Sequence, residues 1–333
     1  MSSTDQLPSE QDISWAERKT RDIIESISKI VLGQDLLKRR LVQGLMSGGH
    51  VLLEGVPGLA KTLAIKSLSE SVDGYFSRIQ FTPDLLPSDI VGTEIFQPQK
   101  ADFVVRKGPV FANFVLADEI NRAPAKVQSA LLETMQERQV TIGDTTYKLP
   151  NPFFVLATQN PIEQEGTYQL PEAQVDRFIM KITLDYPSLS EESEMLSLQS
   201  RLDGLAKSPI SPVATLDDIL ALQNITRSIY VDQKICDYIS LLSWSTRDPK
   251  KFGLSIQPGF IQLGASPRAS ISMYKLAQTE AILHGDSCVL PQHVQAVALH
   301  ALRHRITLGY EAELSGVTAD DVVEEVIKKV KIP

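Results

Sequence analysis

A three-layer α/β domain built on a parallel sheet, followed by an all-helical domain, is the architecture this chain predicts. Three observations point to it. Short β-rich runs alternate with helical stretches as far as residue 187, strand-like runs then cease, and a glycine-containing loop joins an early strand to a helix. Such alternation marks a parallel sheet with crossover helices, because parallel neighbours need a long connection between them.

Taken in order, MSSTDQLPSEQD is polar and acidic and reads as a disordered tail over residues 1–12. From Ile13 to about Met46, apolar residues recur every three or four positions, giving two helices broken at Gly33. HVLLEG is a short buried strand ending at Gly55, and a helix starts near Thr62. FSRIQF and FVLADE follow as strands, then a helix from about Pro124 to Arg138, then the strands FFVLATQN and FIMKITLDY. Together these make an αβα sandwich over residues 13–187. Two stretches interrupt the rhythm. Residues 93–111, approximately, hold two strand-like runs around a polar turn, and residues 139–149, approximately, offer a hairpin with Gly143 and Asp144 at its tip. Residues 188–333 show helical patterns with an irregular stretch at 247–265.

The totals narrow the function. At 333 residues the chain suits one large and one smaller domain, with 43% hydrophobic and 22% charged residues. A formal charge of −8 disfavours a general nucleic-acid binder, whose affinity rests on clustered Lys and Arg. Cys236 and Cys288 are the only cysteines, too few for a disulfide framework or a CxxC metal site, and are expected to be small core residues. With no basic start, no apolar leader and no run of membrane-span length, the expectation is a soluble cytoplasmic protein.

The strand HVLLEG runs into Gly55, Val56, Pro57, Gly58, Leu59, Ala60, Lys61, Thr62 and Leu63, where the helix begins. A phosphate tail needs inward-facing backbone N–H groups, small residues that let the backbone close, and the positive end of a helix. Lys61 would reach the β- and γ-phosphates of ATP, and Thr62 would ligate Mg²⁺. The pattern G-x-x-x-x-G-K-[ST] has Gly where this chain has Ala60, a residue expected there only at negative φ. FVLADE raises a second question, because a buried strand ending in Asp118 and Glu119 is either an exit to solvent or a site. Beside a phosphate loop on the same sheet edge, the site reading prevails: Asp118 holds Mg²⁺, largely through water, and Glu119 orients the attacking water.

The strings GVPGLAKT, ADEINRAPAKVQSALLETMQERQVTI, ATQNPIEQEGTYQLPEAQVDRF and GASPRA resemble the MoxR family of AAA+ ATPases, over most of the chain. That family commonly carries Ala-Lys-Thr in its loop. The resemblance implies a P-loop NTPase core with a C-terminal helical lid, and it implies further roles. Asn160 would be the sensor-1 residue at the γ-phosphate, Arg177 an arginine finger reaching a neighbouring subunit's nucleotide, and Arg268 the sensor-2 arginine touching the γ-phosphate from the lid. Asp176 could instead pair with Arg177. Val31, Leu32, Gly33 and Gln34 would line the adenine pocket. The interrupting stretches would be the helix-2 insert and the pre-sensor-1 hairpin, facing the pore of a ring. The resemblance implies that this ring is a homo-oligomer, expected to be a hexamer, that remodels protein complexes, often with von Willebrand factor A domain partners.

Other readings are a nucleotide-gated scaffold, a nucleic-acid motor and a chelatase motor. His300 and His304 stand i, i+4, but without HExxH context they read as part of a solvated helix. Lys38, Arg39 and Arg40 read as a charged helix face.

Overall fold

The computed structural model describes residues 7–56, 60–99, 101–160, 167–186, 188–202 and 210–333. Two helices open the chain, α1 (Glu10–Ser28) and α2 (Asp35–Met46). α1 begins inside the expected tail: Ser9 and Asp12 form a reciprocal capping box, so residues 10–12 are helical. The S-x-x-D spacing that drives this is visible in the sequence. Gly33 and Gln34, at φ +59° and +50°, make the break before α2.

A crossover pattern then builds the sheet. β1 (Val51–Gly55), α3 (Lys61–Ser71), β2 (Phe76–Gln80), the short α4 (Pro87–Val91), and the hairpin β3 (Gly92–Gln97) and β4 (Asp102–Lys107) lead to β5 (Phe114–Asp118). After a 3₁₀ turn come α5 (Ala125–Glu137), the hairpin β6 (Gln139–Ile142) and β7 (Thr145–Lys148), β8 (Phe154–Gln159), the short α6 (Glu172–Val175) and β9 (Met180–Leu184). Five strands pair in parallel in the order β2-β5-β8-β1-β9. Their carboxyl ends therefore share one edge, where ligands bind in open α/β sheets. β1 splits its side chains between the two faces: Val51 and Leu53 enter one apolar cluster, Leu52 the other.

Beyond β9 lie α7 (Leu189–Leu202), α8 (Leu216–Ser228), α9 (Gln233–Ser245), β10 (Ile261–Leu263), α10 (Pro267–Leu283), α11 (Pro291–Leu302), β11 (Thr307–Leu308), α12 (Tyr310–Leu314) and α13 (Ala319–Lys329). The region is not wholly helical: β10 and β11 pair antiparallel, in strands too short for any alternation to register. Its helices do not build a separate interior, since Leu276, Val297 and Val326 share one cluster with Leu41, Leu53 and Ile182. No helix among the described residues is long and apolar enough to cross a membrane.

Packing also corrects two surface readings and one core reading. Lys38 and Arg40 are buried; Arg40 Nη1 lies 3.1 Å from Glu280 Oε2 of α10, and Lys38 Nζ donates to the Val31 carbonyl. A charge inside needs such a partner, and here it ties α2 to α10. His300 is buried and His304 partly so, because α11 lies against β9 rather than in solvent, and among the described residues no group of three metal-ligating side chains forms. Both cysteines are half-buried rather than core residues.

His50, just before β1, is buried with Nδ1 accepting from the Val155 N–H and Nε2 facing the Met135 carbonyl, both at 3.1 Å. Burial pushes its imidazole down to about 4. The folded chain therefore resists a proton that the unfolded chain takes up near pH 6.5, so stability is full above that value and falls as pH drops toward 4. The loss is up to roughly 3 kcal/mol. Urea midpoints at pH 7 and pH 5 check this, and His50→Gln should shrink the difference while leaving the share of His300 and His304, whose imidazoles burial also pushes down.

Candidate nucleotide site

At the carboxyl edge of the sheet, Ala60, Lys61, Thr62, Leu63, Arg78, Asp118, Glu119, Thr158, Gln159 and Asn160 wall a cavity of about 450 Å³. Each member has a structural reason to be there. α3 starts at Lys61 with no side-chain cap, so its first N–H groups and the positive end of its dipole open into this space. Lys61 Nζ donates to the Gly55 carbonyl, closing the loop end upon itself. Burial pushes the Lys61 ammonium down, against the opposing pull of Asp118, Glu119 and Glu54. Pro57, Gly58 and Leu59 lie outside the described residues.

Ala60 departs from expectation. Its φ is +53°, in the left-handed region, where a Cβ costs roughly 1–2 kcal/mol. A Gly at this N-cap position would adopt the same φ without that cost.

Asp118 ends β5 with both oxygens engaged. Oδ1 accepts from the Thr158 hydroxyl at 2.7 Å, and Oδ2 from Arg78 Nη2 at 2.6 Å and Nε at 3.1 Å. Glu119 adopts φ +56°, and its N–H donates to Thr158 Oγ1 at 2.9 Å, which turns its side chain off the strand. Glu119 Oε2 accepts from Gln80 Nε2 at 2.8 Å and lies 3.3 Å from Arg122 Nε. Asn160, one residue past β8, is buried, and Asn121 Nδ2 donates to its carbonyl at 3.4 Å. Arg78, Gln80 and Thr158 were missed from the sequence. An arginine and a glutamine at i, i+2 on one face of β2, beside a strand ending in two acids, were the available signal.

A hydroxyl and a carboxylate are hard oxygen donors of the kind Mg²⁺ prefers, and Mg²⁺ characteristically takes one or two such groups plus phosphate and water. Thr62 and Asp118 on one cavity wall fit that donor set.

Val31, Leu32, Gly33 and Gln34 do not wall this cavity. They sit toward the β9 side, where a Cβ on Gly33 would meet Glu191 Oε1 of α7 at 2.5 Å.

Arg177 and Arg268 are also elsewhere. Both line a separate cavity of about 220 Å³, along with Gly48, Gly49 and Ile179, which precede β1 and β9 and so mark the opposite edge of the sheet. Arg268 therefore does not reach the loop of its own chain, because the start of α10 is anchored at this far edge. Ser266, the N-cap of α10, donates to Asp176 Oδ2 at 2.8 Å and accepts the Arg268 N–H at 3.1 Å. Asp176 pairs not with Arg177 but with the buried Arg305, Nε to Oδ1 at 2.7 Å. Arg305 Nη2 also donates to the carbonyls of Asp176 and Phe178, clamping the backbone on either side of Arg177. One aspartate thus fixes both arginines. Arg177 Nε is buried without a hydrogen-bond partner among the described residues.

The model of the ATPase family associated with various cellular activities (AAA) matches residues 50–180, and the AAA lid domain model matches residues 255–326. Chaperone MoxR1 of Mycobacterium tuberculosis is 47% identical over 310 residues, 93% of this chain and 81% of the relative. This chain belongs to the MoxR family of AAA+ ATPases. Protein MoxR of Paracoccus denitrificans is 30% identical to this MoxR-family chain, over 90% of it and 91% of the relative. The crystal structure of a candidate ATPase from Cytophaga hutchinsonii superposes with a TM-score of 0.91 at 47% identity, covering 97% of the MoxR-family chain and 98% of its own. The AAA match takes in the whole cavity wall, while Arg268 falls within the lid match.

Proposed function

We propose that this MoxR-family ATPase hydrolyses ATP to ADP and phosphate at sites completed by a second copy of the chain, and uses the cycle to remodel protein complexes. One observation carries the reading: the phosphate cavity and the two arginines suited to a γ-phosphoryl group lie on opposite edges of one sheet. A chain built this way presents its arginines to a neighbour. Such a head-to-tail contact closes into a ring when the rotation permits, and a hexamer is the expected form.

In this reading, the α3 N-terminus and Lys61 hold the β- and γ-phosphates, and Val31–Gln34 accommodate the adenine. Thr62 and Asp118 would hold Mg²⁺, which supplies charge neutralisation at the phosphates. Glu119 accepts a hydrogen bond from the attacking water and polarises it, with its carboxylate steadied by Gln80. Asn160 orients the same water or the γ-phosphate. Arg177 and Arg268 of the neighbour meet the charge that develops on the transferred group.

For the work output, the chaperone named among the relatives supports action on other proteins. The β3–β4 hairpin offers a surface for it: Ile95, Phe96, Phe103 and Val104 are exposed, and the two phenylalanine rings pack 5.3 Å apart. A protein partner carrying a von Willebrand factor A domain fits this role.

Turnover per chain should rise with protein concentration through the assembly range, while ATP binding per chain stays constant. Turnover per chain independent of concentration, in samples shown by sedimentation to dissociate, would rule out a shared site.

A further inference from the structure

The edge that carries Arg177 and Arg268 holds three more cations. Arg138 Nη2 donates to the Gly48 carbonyl at 2.7 Å, and a Cβ on Gly48 would lie 3.5 Å from Arg138 Nη2 and 3.7 Å from Arg227 Nη2. Lys275 lines the same cavity as Arg138. Among the described residues none of these three forms an ion pair. Burial pushes the Lys275 ammonium down, and repulsion from Arg227 and Arg138 pushes it further. Like charges gathered this way raise the energy of the free face and make it a receiver of anions, in a chain whose formal charge is −8.

Next to this cluster lies a larger cavity of about 520 Å³ between α8, α9 and α10. Met46, Ile239, Ile271 and Tyr274 make its wall largely apolar, and Arg227 and Lys275 belong to the wall as well. Its complement is a segment that offers apolar side chains and carboxylates together.

The chain has such a segment at the opposite edge. α7 opens with the sequence LSEESEML; Leu189 is 87% exposed and Leu196 is 71% exposed. Glu192, on the same helix face as Leu189 and Leu196, is exposed and forms no ion pair among the described residues. Glu191 accepts the Ser188 N–H at 2.8 Å and lies over Gly33, and α7 begins soon after the carboxyl end of β9, so it leaves the sheet from the edge that carries the phosphate loop.

We infer that the start of α7 in one copy docks into the α8–α10 cavity of the next, with Leu189 in the apolar part and Glu192, one turn further along the same helix face, against Arg227 and Lys275. This rests on the reading above that Arg177 faces a neighbour's nucleotide, because the same two edges must then meet. Docking adds a contact that is independent of nucleotide and fixes the register in which the arginines arrive.

Cys236 lines the cavity and serves as a reporter. In a Cys288→Ser background, Leu189→Cys should give covalent dimers and larger species with a short bismaleimide. These should disappear on Cys236→Ser and fall at least tenfold on Arg227→Glu with Lys275→Glu. Adding Glu192→Lys should restore them in part, while Glu194→Lys, on the opposite helix face, should not. Circular dichroism melts of each variant separate misfolding from lost docking, and Arg227→Gln with Lys275→Gln serves as the milder pair. If mixed Lys61→Ala and Arg177→Ala chains recover turnover but no cross-link forms between Cys236 and the thiol introduced by Leu189→Cys, the docking fails while the shared site stands. If both are absent, both fail. If the cross-link forms and ignores charge reversal, the proposed acid–base pairing is wrong. If charge reversal weakens assembly without any cross-link having formed, another anion occupies the face and the inference fails.

Discussion

Glu119→Gln is expected to keep ATP bound while turnover falls by about 10²–10⁴, the range that a positioned general base contributes. The amide preserves volume and the left-handed backbone, whose N–H remains tied to Thr158. Lys61, Thr62 and the α3 terminus are untouched, so the phosphate-binding groups persist. What disappears is the negative charge that polarises water. Nucleotide binding followed by fluorescence, alongside phosphate release, separates the two effects. Unchanged turnover would remove Glu119 from its role and leave Asp118 as the remaining acid on the cavity wall.

Mixing Lys61→Ala chains with Arg177→Ala chains, each inactive alone, should recover part of the activity. A mixed interface can pair an intact phosphate loop from one variant with an intact Arg177 from the other. An arginine finger is worth roughly 10³–10⁵ in rate, so even a minority of repaired interfaces stands far above background. Heteromeric assemblies are verified first by differential tagging. Persistent inactivity in them would place Arg177 outside the reaction. Arg177→Lys should not substitute, since a point charge cannot reproduce the planar fork that spans two phosphate oxygens.

Much of this was legible before any coordinates. β1, β5 and β8 read as near-continuous apolar runs because parallel strands are covered on both faces, and each ended at a residue that reaches the cavity or its loop. Lys61, Thr62, Asp118, Glu119 and Asn160 converge because strand ends share an edge, which order along the chain already implies. Other features depend on packing that local pattern does not record. Arg40 and His300 sit on helices whose polar side chains turn inward to meet Glu280 and β9. Arg268 stands at the start of a helix, as expected, but which sheet edge that start touches is settled by Ser266, Asp176 and Arg305, residues distant in sequence. The left-handed Ala60 reflects a requirement of the loop that overrides the residue's own preference.

The aspartate shared between the Arg177 segment and the first turn of α10 has a mechanical meaning. Two levers fastened to a single pin cannot swing separately. In the proposed assembly, departure of a phosphate from a neighbour's site would therefore release the two arginines together rather than one after the other.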